Sequence, residues 1–286
     1  MKHLHLTLAA ALAALAPAAH AYEIWAVNTS NALVRYDSSA PGTVLSSNAI
    51  SGLVGSDGVT PDAFGQIADL TYVGATLYGI DTNANLYTLN TASGAATLVS
   101  STFAPAGFDL GIASDPFLSG GGLRIVSDSS ENFTATTGGV FTQGNDVFVG
   151  VADANESAVL AFSALAIDPD FGIGYAFDAN LDTLFVTYDA NFEEFFTVGT
   201  LGGDFTALAS FDWVDGTTLI AALSTDSFES GLYSIDATTG VATLIGAFDS
   251  GITSIAVSAV PEPSTYAAFA GLAVLGLAAS RRRRVA

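Results

Sequence analysis

The side chains able to do chemistry in this 286-residue chain are almost all carboxylates. Between residues 22 and 258 there are 27 acids, two bases (Arg35 and Arg124) and no Lys, His, Cys or Met, a formal charge of −25. That composition excludes a disulfide framework, a thiolate nucleophile, a Schiff-base lysine and a His/Cys metal or haem site. No Ser in this stretch has a His to pair with, so a Ser-His-Asp triad is excluded too. Nucleic acid is not a partner, because phosphates need neutralising cations that this surface lacks.

Three acids share a local pattern. Asp69, Asp109 and Asp212 each follow an apolar or small residue and precede Leu or Trp, and Ala166 and Ala256 hold the matching place elsewhere. Carboxylates brought to one level raise one another's pKa, which suits acid/base work or a bound cation. Arg124 is expected to offset them as an ion pair in a central channel. Alternatively, each Asp accepts backbone N–H groups at a junction between structural units, as ion-pair and hydrogen-bond networks often do.

A second set lies in recurrent turns. The runs starting at Asp81, Asp128 and Asp178 carry oxygen side chains at alternating positions, the last including Asn180 and Asp182. Alternating oxygens begin calcium loops, but an EF-hand needs Gly at position six and Glu at twelve. Counting from Asp178, those places hold Thr183 and Asp189. Asx-turns explain the same residues without metal. Calcium is the one cofactor these loops would admit, with Asp168–Asp170 and Asp153–Glu156 as further acidic segments. Phe192, Phe195 and Phe196 around Glu193 and Glu194 suggest either a sugar-stacking subsite or a strand alternating between core and solvent. Gly120 to Gly122 lack the Lys-Ser/Thr of a phosphate loop.

The elements that must position these residues repeat. Leu77-Tyr78-Gly79-Ile80-Asp81 and Leu232-Tyr233-Ser234-Ile235-Asp236 are near copies, and residues 91–99 resemble 238–245. Aligning Trp25, Tyr78, Arg124, Tyr175 and Ile220 gives spacings of 53, 46, 51 and 45 residues. A period of roughly 40–50 residues is that of four-stranded propeller blades. Each period contains four short runs bounded by turn residues; the clearest unit spans 66–73, 76–81, 85–90 and 95–100. The other first strands are expected at 107–113, 160–167 and 206–213. The first unit lacks a first strand, and the closing run 251–257 would complete it, removing a free edge. The expected fold is therefore an all-β, five-bladed β-propeller over residues 22–258 with N/C-terminal strand closure. A twisted β-sandwich is the alternative.

The repeat resembles a family of uncharacterised bacterial secreted proteins. The resemblance rests on L-Y-x-I-D at Leu232–Asp236, T-G-x-A-T-L-I-G at Thr239–Gly246 and an R-I-V-S element at Arg124–Ser127. It implies the propeller fold and carries no activity with it.

The two ends read as addresses. Residues 1–21 form a secretory signal peptide, with Lys2, an apolar run over 4–16 and the cleavage pattern Ala19-His20-Ala21. At the other end, a 259–265 linker containing Pro261, Glu262 and Pro263 precedes a 266–286 tail. That tail has a short apolar helix, too short to span a bilayer, followed by Arg281, Arg282, Arg283 and Arg284. Pro-Glu-Pro, an apolar helix and an Arg cluster resemble the PEP-CTERM sorting signal of Gram-negative bacteria. The resemblance implies export through the Sec machinery and processing by an exosortase at the inner membrane. Delivery to the envelope, surface or exopolysaccharide matrix would follow.

These features favour a non-enzymatic propeller with a structural role or one binding glycan or protein. A carboxylate-only glycosidase drawing on Asp69, Asp109 and Asp212 is the alternative, since two acids suffice for that reaction. A calcium-stabilised adhesin is the third reading. Expected partners are the export and processing machinery, with exopolysaccharide or a surface protein as ligand.

Overall fold

The computed structural model describes residues 22–214, 218–226 and 229–258. The expected signal peptide, Pro-Glu-Pro linker, apolar tail and Arg281–Arg284 lie outside them. All regular elements among the described residues are strands. In chain order these are β1 (Glu23–Asn28), β2 (Ala32–Asp37), β3 (Ser46–Ala49), β4 (Ile67–Val73), β5 (Thr76–Asp81), β6 (Leu86–Leu89) and β7 (Ala96–Ser100). There follow β8 (Leu110–Asp115), β9 (Gly122–Ser127), β10 (Asn132–Thr136), β11 (Phe141–Gln143), β12 (Phe148–Val149), β13 (Phe162–Ile167) and β14 (Gly174–Asp178). The last seven are β15 (Thr183–Thr187), β16 (Glu194–Thr200), β17 (Ala209–Val214), β18 (Thr218–Ser224), β19 (Ser230–Ile235), β20 (Ala242–Ala247) and β21 (Ile252–Ser258).

They form five sheets, ordered β21-β1-β2-β3, β4-β5-β6-β7, β8-β9-β10-β11, β13-β14-β15-β16-β12 and β17-β18-β19-β20. This is a five-bladed propeller. Its first blade closes as expected: β21 pairs antiparallel with β1, placing Ala256 opposite Trp25. The innermost strands β21, β4, β8, β13 and β17 are neighbours in that cyclic order. Apolar clusters fill the junctions, for example Ile24, Tyr36 and Ile255 against Ile220 and Leu232 between the last blade and the first. Successive blades also touch at their rims. Gly240 (φ +83°) and Gly94 (φ +74°) turn outer hairpins so tightly that a Cβ would lie 2.6 Å from Gly199 O and 2.5 Å from Ala49 O. Only glycine fits that conformation and that approach.

Two departures from expectation have local causes. The inner strand of the third blade starts at Leu110, three residues later than expected, so Asp109 precedes it. The N–H groups of Ala106 and Gly107 are taken by the Glu131 carboxylate, and that of Phe108 by Asp128 Oδ1 at 2.8 Å. Capped in this way, residues 106–108 have no ladder to join. The fourth blade also gains β12, which pairs parallel with β16 and covers that blade's outer edge. Two residues inside a turn-rich insertion give no strand pattern.

Candidate functional site

The register of the blades fixes what faces the axis. Opposite Trp25, Tyr78, Arg124, Tyr175 and Ile220 lie Ala256, Thr71, Ala113, Ala166 and Asp212. Asp212 thus shares a level with Ala166 and Ala256, as the sequence indicated. Asp69 sits one pleat lower, opposite Ile80, at the level of Ser210 and Gly111. Asp109 is exposed and outside the strand. The trio expected at one level is therefore two acids at two levels plus an outlier. Flanking residue types suggested the match; hairpin register decides it.

Inner strands of neighbouring blades fan apart and do not pair, so their N–H groups need other acceptors. Side chains supply them. Asp69 Oδ2 accepts from Ile112 N (2.8 Å), Thr71 Oγ1 from Ser114 N (3.1 Å), Ser210 Oγ from Ile255 N (3.0 Å) and Asp212 Oδ2 from Val257 N (2.6 Å). Each donor belongs to the next blade. Both aspartates also accept the following N–H of their own strand through Oδ1, Asp69 from Leu70 (2.9 Å) and Asp212 from Trp213 (2.8 Å). The two carboxylates therefore do the same work at two different junctions.

They differ in surroundings. Asp69 is buried, and its Oδ1 also accepts the hydroxyl of Ser210 at 2.6 Å. Burial pushes its pKa well above the usual carboxylate range against those hydrogen bonds, and the nearby Asp212 charge pushes the same way. Asp212 is partly exposed and lines a recess of about 170 Å³ at the end where the inner strands finish. Desolvation there pushes its carboxyl up to about 7, opposed by the N–H groups of Val257 and Trp213. Thr71, Tyr72, Ser114 and Trp213 also line the recess, and among its described lining residues Asp212 carries the one carboxylate.

Aromatic side chains gather around this opening. Trp213 stacks on Tyr175, with ring centroids 5.1 Å apart, and its buried Nε1 has no hydrogen-bond partner. Burial, and secondarily the charge of Glu23, pushes the Tyr72 hydroxyl up to about 12, so it stays protonated. Pro116 and Pro169 line the recess, and the two loops that carry them expose Phe117 (62 %) and Phe171 (74 %). The Asp168 carboxylate shapes the second loop by accepting the N–H groups of Asp170 and Phe171. Sequence pattern alone does not point to Thr71, Tyr72 or Trp213 as recess lining. An aromatic residue directly after the inner-strand acid was the available signal.

The other sequence candidates lie elsewhere. Arg124 is not in the channel. It is buried between the third and fourth blades, pairs with Asp115 at 3.1 Å, donates to Ala190 O and Asn191 O, and covers the Phe192 ring. Its place on a second strand, one step off the axis, explains this. The carboxylates of the turns are occupied. Asp81 Oδ1 accepts from Asn83 N and Asn85 N, Asp178 Oδ1 from Asn180 N and Leu181 N, and Asp182 Oδ1 from Phe205 N. Asn180 contributes its N–H to the second of these Asx-turns. No cluster of three or more His, Cys, Asp or Glu fit to hold a metal occurs among the described residues. Phe192 and Phe195 are buried against Phe162 and Phe185, so they are core and not a sugar-stacking surface.

Fold and site together define a closed five-bladed propeller with a carboxylate and aromatic rings at one end of its axis. The chain belongs to the family described as a domain of unknown function, DUF4394, whose model matches residues 32–257. Residues 259–284 match the PEP-CTERM protein-sorting motif, which marks an exported protein, transiently anchored at the membrane and processed by an exosortase. No curated protein matches the sequence. Among solved structures, the chain is similar to one in a nidogen/laminin complex, at 11% identity and a TM-score of 0.48, covering 83% of this chain and 98% of that one. A second is a structural genomics protein of unknown function from Bacteroides thetaiotaomicron VPI-5482, at 16% identity and a TM-score of 0.48, covering 80% of this chain and 59% of that one.

Proposed function

We propose that the propeller is a non-enzymatic binding module of the cell envelope or extracellular matrix, with the axial recess as its glycan-contacting site. The observation that carries this reading is the joint lining of the recess by Asp212, Thr71 and Ser114 with Tyr72 and Trp213. Sugar rings offer apolar faces to aromatics and hydroxyls to polar groups, and small sites combine both. Catalysis on glycosides would need a second carboxylate across the bond, roughly 5–10 Å away. Of the other inner-strand acids, Asp69 is buried with both oxygens accepting hydrogen bonds, and Asp115 is buried in its pair with Arg124. The same reading has the Sec machinery export the chain and signal peptidase cut after Ala21. The exosortase then removes the tail beyond Pro261-Glu262-Pro263. Surface protein from the host would then lack Arg281–Arg284 by intact mass.

The test is to mix the protein with the host's exopolysaccharide and follow polymer mass by size exclusion with light scattering. A binding module raises the mass by co-elution, and Phe117→Ala with Phe171→Ala weakens that association, whereas an unchanged mass leaves a structural role without glycan binding. A falling polymer mass would identify a hydrolase and sink the proposal.

A further inference from the structure

The charge balance of the recess narrows the ligand further. Among the described lining residues there is a carboxylate and no cation. The two cations of the body are committed elsewhere, Arg35 to Glu23 at 3.3 Å and Arg124 to Asp115. Nothing at the site can therefore balance Asp212 or receive an anionic sugar, and the formal −25 of residues 22–258 repels one. Among the described residues each Asp212 oxygen accepts one N–H, leaving lone pairs for a further donor. A metal ion would need several oxygen ligands, whereas this site offers a lone carboxylate beside aromatic rings. Carboxylate plus Trp and Tyr is the chemistry that recognises an organic ammonium, by a charge-assisted hydrogen bond and by attraction to ring faces.

We infer that the sugar unit taken by the recess is an amino sugar, its ammonium group donating to the Asp212 carboxylate beside Trp213 and Tyr72. This rests on the binding-module reading. A recess of about 170 Å³ suits one such ring and not an extended chain, since larger ligand sites span roughly 300–1,000 Å³.

Calorimetry on the full chain at pH 7 would compare glucosamine, N-acetylglucosamine and glucose. The expected result is that glucosamine binds about tenfold or more tightly than the other two, and that Asp212→Asn removes this margin. Equal affinities, or no binding of glucosamine, would overturn the ammonium assignment. The comparison between sugars needs no variant, so it holds even if Asp212→Asn fails to fold. Trp213→Phe separates the two levels. If it weakens retention on exopolysaccharide while glucosamine shows no preference, the recess reading survives and the ammonium falls. If no recess substitution changes retention, the recess reading itself fails.

Discussion

The hydroxyl of Ser210 donates to Asp69 Oδ1 at 2.6 Å, joining two inner strands, β17 and β4, that are not neighbours in the ring. The same hydroxyl accepts the N–H of Ile255 on β21, the strand between them, at 3.0 Å. Asp69 in turn holds Ile112 on β8. Four of the five inner strands are thus linked through the Ser210 hydroxyl and the Asp69 carboxylate, one pleat below Asp212. Ser210→Ala would leave Asp69 and the Ile255 N–H short of a partner in a buried site. A loss of about 1–3 kcal/mol is expected. A thermal melt checks it: for a domain of this size the Tm should fall by roughly 2–4 °C per kcal/mol.

That link also shows where sequence reading stops. The blade count, the Trp25-to-Ile220 period and the β21–β1 closure were visible because each blade repeats the same local pattern. Asp212 was legible because an acid in an apolar strand stands out. Its separation in level from Asp69 was not, because flanking residues alike in type mimic an alignment that hairpin register overrules. Ser210 to Asp69 spans 141 positions with no local signature. The same holds for Arg124, whose partners Ala190 O and Asn191 O are backbone atoms of another blade and leave no trace in side-chain identity.

Arg124 tests how blades are tied together away from the axis. It is 4 % exposed, and its guanidinium meets Asp115, two carbonyls and the Phe192 ring together. Arg124→Met would strand the Asp115 carboxylate in a buried site and release the 188–193 loop. The expected loss is about 3–5 kcal/mol in denaturant unfolding. Arg124→Lys should recover only part, because an ammonium cannot fork to several acceptors.

Gly111 and Gly74 form a matched pair of tests. A Cβ on Gly111 would lie 2.7 Å from the backbone of Ala164 and Leu165, so Gly111→Ala must push β8 and β13 apart. Gly74 has positive φ but nothing within 4 Å of its Cβ position. Gly111→Ala should cost about 1–3 kcal/mol through overpacking, and Gly74→Ala about 1–2 kcal/mol through left-handed strain alone. Melting curves separate the two if only Gly111→Ala also loosens the inner ring, seen as faster amide exchange in β13.

Calcium offers a further check on the turns. The carboxylate oxygens of Asp81 and Asp178 already accept N–H groups within their own loops, and Asp81 Oδ2 also accepts from Tyr87 Oη at 3.0 Å. Millimolar calcium should leave the Tm unchanged. A rise would show that a native-state site binds the ion, since such a ligand stabilises the folded form.

The last prediction concerns pH and follows from Asp212. In the folded protein burial lifts its pKa to about 7, while the unfolded chain has an ordinary Asp near 3.9. Between those values the folded state holds a proton that the unfolded state has lost. Unfolding then releases a proton, so stability falls as pH rises through this window, by up to about 1.4 kcal/mol per pH unit. Above pH 7 both states are ionised and this contribution stops changing. Asp69 and Asp178, whose pKa values burial also raises, add slopes of the same sign. Asp212→Asn should therefore reduce the slope between about pH 5 and 7 by up to one proton's worth without abolishing it. Denaturant midpoints at pH 5, 6, 7 and 8 measure this directly. An unaltered slope in the variant would mean that Asp212 is already ionised throughout that range. In that case the carboxylate would be fully charged for a cationic ligand even in mildly acidic surroundings.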